Sequence, residues 1–503
     1  MKKYIKIFPA APFFATVLLT AVLLTSCDLF HDFFKNTENS KKEEKDPYTF
    51  YALDMSTKVS FSYPVTAEKL AEGEKCVVWA ESDRGVTREK AKAIANEYDK
   101  VIRPRIVNAF GKKDFDAVVN GKTEHFADIL DYANRLASET DETDGKLTIL
   151  LLDIRDGYDP KTKPSYVAGY FYSGDFYRAG PIGAGYYSNG RDMIYIDTNP
   201  GMQKPEQAYS TFAHELQHLI SYATSRQMNK ARLMDTWIDE GLSSQAEHIY
   251  LGSHPTEKCN WFKNDTNGTI AKGNNFFVWD NHSGQAILDD YATVYMFFRW
   301  LRLQAGDDSI FRDIVTSTGY DHNIIVDLAK QINPAWDTWE KVLRAWMIAN
   351  YYPADSTYGY KNDADLHKYI VPKLASGRLI SLYPGEGVYS KIDKSFSPAI
   401  NGGRNIRYAG INTGTPSLSP PYTGEALLTF NSNATNSNTA TLQETGYLTG
   451  VTGSVAAARE TAASVQETGF SGPYVIDARD VLGRNGDREF PVFSEPFLQR
   501  AEE

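Results

Sequence analysis

The sequence has few cysteines and no excess of positive charge. Only three cysteines occur in 503 residues, which excludes a fold built on many disulfide bonds and leaves too few thiols for a cysteine metal cluster. The net charge of −11 argues against nucleic acid as the main partner, because phosphate binding needs a basic surface. With 42% hydrophobic and 23% charged residues, the composition is that of a globular protein rather than a disordered one.

The N-terminus has the pattern of an export signal. Three lysines among the first six residues precede an apolar run at 8–24, which is too short and too broken by proline for a stop-transfer helix. The run ends in Leu24-Thr25-Ser26-Cys27, which resembles the lipobox of bacterial lipoproteins, where the signal is cut before an acylated cysteine. We therefore predict a signal peptide at 1–26, a tether at 27–47 and lipid attachment at Cys27. The alternative is an ordinary signal peptide with an incidental cysteine.

This pattern also predicts a location. No other stretch of the sequence is long and apolar enough to span a membrane, so the mature protein is expected to be anchored rather than inserted. We predict the bacterial cell envelope, with the protein facing the periplasm or the cell exterior.

The order of the predicted elements indicates an α+β fold, with strands mostly before residue 200 and helices mostly after it. One helix is predicted from residue 88 to 110, with Thr87 as its N-cap, Pro104 as a bend and Gly111 as its end. A folded body is predicted at 48–380, and a smaller β-rich region at 381–503. The predicted strands are 75–80, 147–153, 167–172, 193–197, 406–411, 426–430 and 474–476, and the helical stretches are 206–249 and 289–348.

The segment from His214 to His218 has the spacing of a zinc site. Residues four apart on a helix lie on the same face, so His214 and His218 can offer two imidazole nitrogens to one Zn²⁺. Glu215 then reaches the position of a metal-bound water, as a general base requires. The alternative is a pair of histidines on an ordinary core helix.

A catalytic zinc needs a third protein ligand. The metzincin class has a histidine six residues after the second one, and Thr224 stands at that position, which excludes this class. The segment Trp237–Ser243 resembles instead the tryptophan-acid-glycine segment of gluzincin metallopeptidases. That resemblance makes Glu240 the third ligand.

Two further residues are candidates for supporting roles. Glu247 lies two helical turns after Glu240 and could accept a hydrogen bond from the outer nitrogen of a zinc-bound histidine, or be an ordinary surface glutamate. In several gluzincins a tyrosine on the helix that corresponds to the predicted helix at 290–301 donates to the oxyanion. Tyr291 matches best and Tyr295 is the reserve, with core packing as the alternative for either. The remaining histidines lack ligand spacing; they include His248, His254, His282, His322 and His367.

Over about residues 75–350 the chain resembles the hyicolysin family of secreted bacterial metallopeptidases. The resemblance implies a zincin-like (gluzincin) domain at 48–380 that hydrolyses protein or peptide substrates, with one Zn²⁺ as cofactor. Zinc would activate a water and Glu215 would take its proton. The residues that carry the resemblance are Gly169, Ser188-Asn189, Tyr195-Ile196-Asp197, His214–His218 and Glu240.

The sequence also leads to one expectation about substrate binding and leaves alternatives for the cysteines and for the function. The strand at 193–197 is expected to be an edge strand that pairs with the substrate backbone. Cys76 and Cys259 form one disulfide bond or remain buried thiols. The chain could also be an adhesin-like binding lipoprotein that uses the same domain as a scaffold. An exopeptidase would need an acidic cluster for the free amine of its substrate, and no segment clearly supplies one.

Overall fold

The computed structural model describes residues 46–56, 60–138, 145–203, 205–228, 233–266, 268–274, 287–392, 394–398, 403–434, 444–448 and 497–500. The predicted signal peptide, Cys27, His282 and the predicted strand at 474–476 lie outside these residues, as does nearly all of the predicted tether. Within the described ranges, no helix combines the length and the apolarity needed to cross a membrane.

The described elements are numbered in chain order. The strands are β1 (Tyr48–Asp54), β2 (Phe61–Glu72), β3 (Cys76–Glu81), β4 (Lys113–Val119), β5 (Lys122–Asp128), β6 (Leu147–Leu152), β7 (Ser165–Phe171), β8 (Gly180–Gly183), β9 (Tyr186–Ser188), β10 (Met193–Asp197), β11 (Leu379–Leu382), β12 (Gly387–Lys391), β13 (Ile406–Ile411), β14 (Ala426–Asn431), β15 (Glu444–Tyr447) and β16 (Phe497–Arg500). The α-helices are α1 (Arg88–Glu97), α2 (Arg103–Phe110), α3 (Ile129–Ser138), α4 (Pro205–Gln227), α5 (Thr236–Leu251), α6 (Thr256–Asn264), α7 (Ile287–Ala305), α8 (Ser309–Thr316), α9 (His322–Ile332), α10 (Trp339–Tyr351) and α11 (Ala364–His367).

The main sheet has the strand order β1-β2-β3-β6-β10-β7-β16. Its centre is parallel, since β6 pairs in parallel with both β3 and β10, whereas β7 runs antiparallel to β10 and to β16. Every residue of β6 and of β10 is buried. Alternate side chains point to opposite faces, so Ile149 and Leu151 pack against the helices while Leu150 and Leu152 join a second core on the other face.

The expected edge position of residues 193–197 is wrong. β10 pairs with β6 on one side and with β7 on the other, so it is an interior strand. Its sequence, Met-Ile-Tyr-Ile-Asp, is buried at every position, as is typical of a strand covered on both faces. The strand beyond it, β7, is paired along its outer side with β16.

The first predicted helix begins and ends as expected but is not α-helical throughout. The Thr87 side chain accepts a hydrogen bond from the Lys90 amide at 3.3 Å, and the helical path stops before Gly111. Between α1 and α2 the chain makes a π-helical turn at Tyr98–Ile102, and Pro104 lies in the first turn of α2.

The strands β11 to β15 form two smaller sheets, β12-β14-β13 and β11-β15, whereas β16 joins the main sheet. The three-stranded sheet packs against α10: the Tyr389 hydroxyl donates to the Met347 carbonyl oxygen at 2.6 Å, and Arg407 pairs with Glu340 at 2.8 Å. The α+β class is therefore confirmed. The boundary near residue 380 stays a prediction.

Candidate metal centre

Helix α4 carries the two candidate histidine ligands through the middle of the protein. It packs on β7 and β10, and its apolar residues, among them Phe212 and Leu216, are fully buried. His214 and His218 are buried as well, and their ring centroids lie 4.9 Å apart. The helix thus holds both imidazoles in one place, as their spacing in the sequence predicts.

Helix α5 packs directly on α4 and brings Glu240 to the same point. Glu240 Oε2 lies 3.2 Å from His214 Nε2, and Glu240 Oε1 lies 3.6 Å from His218 Nε2. The three candidate ligand atoms all lie within 4.8 Å of one another, and all three residues are buried. The structure therefore brings together the three residues that the sequence proposed as ligands.

The residues at this point fit a metal ion. His218 Nε2, Glu240 Oε1 and both carboxylate oxygens of Glu215 are buried and make no hydrogen bond within the described part of the chain. Buried polar atoms without partners are costly, and so many in one cluster point to a ligand that would satisfy them. Two imidazole nitrogens and one carboxylate are a donor set that suits a catalytic Zn²⁺.

Glu215 lies buried beside the two histidines. Its side chain is fully buried, and this burial raises the pKa of the carboxyl from the usual 4.5 to about 7, although His214 and His218 act in the opposite direction. A carboxyl group whose pKa lies near neutral pH can both accept and return a proton there.

The outer nitrogen of each histidine faces a carboxylate. His214 Nδ1 lies 2.7 Å from Glu247 Oε1, and His218 Nδ1 lies 2.8 Å from Asp239 Oδ2. If Nδ1–H donates in both pairs, both Nε2 lone pairs face the candidate metal position. Glu247 thus contacts the outer nitrogen of a candidate histidine ligand, as its position two helical turns after Glu240 suggested.

Asp239 was not singled out in the sequence. It stands immediately before Glu240, so the same short segment of α5 supplies both a candidate ligand and a partner for His218. Ser243, one turn further on, also approaches His218 Nδ1, at 3.2 Å. The signal in the sequence that could have identified Asp239 is its acidic side chain directly before the predicted third ligand, Glu240.

The two candidate tyrosines have different surroundings. The Tyr291 ring lies 6.3 Å from the His214 ring and packs with Tyr166 and Ala168 of β7. The Tyr295 hydroxyl lies 2.7 Å from His254 Nδ1 and 3.1 Å from His248 Nδ1. The geometry therefore places Tyr291 beside the candidate metal ligand His214. Tyr295 lies in a separate polar network with His248 and His254, two of the histidines without ligand spacing.

The two described cysteines are free and buried. Cys76 begins β3, and Cys259 lies in α6. Burial raises the pKa of the Cys259 thiol to about 12, which keeps the group protonated and unreactive. Of the two alternatives for this pair, the structure has the buried thiols.

Comparison with known proteins adds to this geometry. No family model matches the chain. Over 293 residues the chain is 30% identical to the neutral metalloprotease ShpI of Staphylococcus hyicus. The chain resembles a metalloprotease. The matched part is 56% of this chain and 57% of the relative, so the chain spans little more than half of that protein's length. The similarity supports a metallopeptidase family and, with the buried cluster of His214, His218 and Glu240, a metal cofactor.

Proposed function

We propose that the protein is an exported, lipid-anchored zinc metalloendopeptidase of the gluzincin type, similar to the hyicolysin family. The observation that carries this proposal is the buried cluster of His214, His218 and Glu240 beside Glu215, whose carboxylate oxygens make no hydrogen bond within the described residues. The similarity to a neutral metalloprotease supports the peptidase reaction and peptide substrates.

Zn²⁺ would be held by His214, His218 and Glu240, where it would supply a Lewis acid for the scissile carbonyl and lower the pKa of water toward ~7. Glu215 takes a proton from the attacking water, whose oxygen forms the new bond to the carbonyl carbon. The same carboxyl group then gives that proton to the amine nitrogen as the C–N bond breaks. Burial raises the pKa of the Glu215 carboxyl group, which favours its acceptance of a proton.

The surrounding residues orient these groups. Glu247 and Asp239 accept from the Nδ1–H of His214 and His218, which fixes the ring orientation and the tautomer in which Nε2 is free to bind metal. Tyr291, beside His214, donates its hydroxyl to the carbonyl oxygen as negative charge develops there.

The reaction is tested with the mature chain in which Cys27→Ser prevents lipidation. We expect one equivalent of zinc, lost in His214→Ala, and hydrolysis of casein. Glu215→Gln should keep the zinc and lower the rate by about 10²–10⁴-fold, because the proton acceptor is removed. The control is Glu89→Gln, which changes an exposed glutamate of α1. This variant should equal the parent protein in zinc content and in casein hydrolysis. Unchanged hydrolysis by Glu215→Gln would refute the proposed reaction.

The membrane anchor needs its own test. The proposal places the protein in the cell envelope through an acylated Cys27, on the evidence of the N-terminal sequence. Cells that express the full chain should incorporate labelled palmitate into it and retain it in the membrane fraction. The Cys27→Ser chain should lose both properties. Retention of the label by Cys27→Ser contradicts attachment at this residue.

A further inference from the structure

A buried lysine lies behind the metal site. Lys258 on α6 is only 8% exposed, and its Nζ lies 2.7 Å from Glu247 Oε1 and 2.8 Å from Glu247 Oε2. Lysine is seldom buried unless it is paired. Here the ammonium group contacts both oxygens of a carboxylate that is itself buried.

The same carboxylate contacts a candidate metal ligand. Glu247 Oε1 lies 2.7 Å from His214 Nδ1, so one oxygen faces both the imidazole and the ammonium group. Lys258 Nζ also lies 5.6 Å from the centroid of the Tyr291 ring. Lys258 therefore touches Glu247 and lies over Tyr291, two residues with separate proposed roles.

The charges of the site need a cation of this kind. Glu215, Glu240 and Glu247 are three buried acidic side chains in one cluster. A divalent metal ion would balance two of the negative charges when all three are ionised, and Lys258 supplies the third positive charge from the opposite side of Glu247. Buried charges without such compensation are strongly unfavourable.

We propose that Lys258 is a positioning residue for the metal centre. Its ammonium group holds the Glu247 carboxylate in one orientation, so that Glu247 fixes the ring of His214 with Nε2 directed at the metal. The metal-binding part of this inference stands on the His214, Glu247 and Lys258 contacts; the effect on catalysis rests on the proposed function.

The test compares Lys258→Met with Lys263→Met in the same mature chain. Lys263 is an exposed lysine on the same helix and controls for loss of charge on α6. Zinc affinity is measured by competition with a chromophoric chelator, alongside the free energy of unfolding of the metal-free protein. We expect Lys258→Met to raise the Kd for zinc about 10–100-fold, as loss of a group behind a metal ligand does. Lys263→Met should leave the Kd unchanged.

A second variant covers the case in which Lys258→Met does not fold. The double change Glu247→Gln with Lys258→Met removes both charges and leaves an amide oxygen that can still accept from His214 Nδ1. We expect this protein to fold and to bind zinc more weakly than the parent. If either variant binds zinc with the affinity of the parent protein, the proposal is wrong. An ion pair with only a structural role would change the free energy of unfolding and leave the Kd for zinc unchanged. A parent protein that binds no zinc would instead refute the proposed function.

Discussion

The backbone of Gly241 lies directly against the ring of Phe298. A Cβ atom built on Gly241 would meet Phe298 Cδ2 at 2.1 Å and Cε2 at 2.3 Å, and this ring is fully buried. The missing side chain lets α5 approach α7 closely, one residue after Glu240. Close packing of these helices thus fixes the third candidate ligand relative to the helix of Tyr291.

Gly241→Ala should therefore destabilise the protein. The added methyl group overlaps an aromatic ring that has no free space to move into, and overpacking of this kind costs roughly 1–3 kcal/mol. The free energy of unfolding of the metal-free protein, measured in urea, checks the loss. Ser244→Ala on the same helix is the control, because its buried hydroxyl makes no hydrogen bond within the described residues. A Gly241→Ala protein as stable as the parent would contradict this packing.

Asp239→Ala should weaken zinc binding. Asp239 is the carboxylate partner of His218 Nδ1, and its loss leaves only the longer contact to Ser243 to orient the ring. We expect the Kd for zinc to rise about 10–100-fold. The same chelator competition measures it, with the exposed Asp313→Ala as the control. Equal affinities in the two variants would show that Asp239 does not orient His218.

Tyr291→Phe should affect catalysis, whereas Tyr295→Phe should affect stability. Removal of the Tyr291 hydroxyl should lower kcat about 10²-fold with little change in KM, since it removes a donor to the developing oxyanion. Tyr295→Phe removes the partner of His254 and His248 and should cost about 1–3 kcal/mol of stability with kcat retained. Steady-state kinetics on a peptide substrate and thermal unfolding separate the two. The opposite pattern would assign the catalytic tyrosine to Tyr295.

Glu386 should make stability depend on pH. Its side chain is 3% exposed, and burial raises the pKa of the carboxyl from the usual 4.5 to about 8, against the hydrogen bond that the Tyr383 amide donates. Between these two values the unfolded chain releases a proton that the folded protein keeps, so this residue lowers stability as pH rises from 4.5 through 8.

Glu386→Gln tests that dependence. The neutral amide removes the contribution, so the variant should gain stability relative to the parent between pH 5 and pH 9, by at most about 5 kcal/mol. Urea unfolding at both pH values measures the difference, and the exposed Glu68→Gln is the control. A difference between variant and parent that stays constant with pH would show that Glu386 does not titrate in this range.

The parts of the site that follow helix geometry could be predicted from the sequence. His214 and His218 lie one turn apart on α4, and the position of Glu247 relative to Glu240 follows from two turns of α5. Lys258 could not be found this way, because it lies on another helix and its contact depends on how α5 and α6 pack.

The order of strands in the main sheet could likewise not be predicted from local sequence. The strand at 193–197 was predicted with the bounds of β10, since its own residues are apolar and β-prone. Its place between β6 and β7 was not predicted, because strand pairing is decided by segments distant in the sequence. An interior strand and an edge strand can have the same local sequence, and only their neighbours distinguish them.

The pairing of β16 with β7 has a consequence for biosynthesis. β1 and β16, the first and last described strands, lie at opposite ends of one sheet, so residues 497–500 must be synthesised before β7 acquires its outer neighbour. Until then the amide and carbonyl groups along one side of β7 are available to any other extended chain, which is the usual route to aggregation. A chain that lacks residues 497–500 is therefore expected to aggregate more readily than one that contains them.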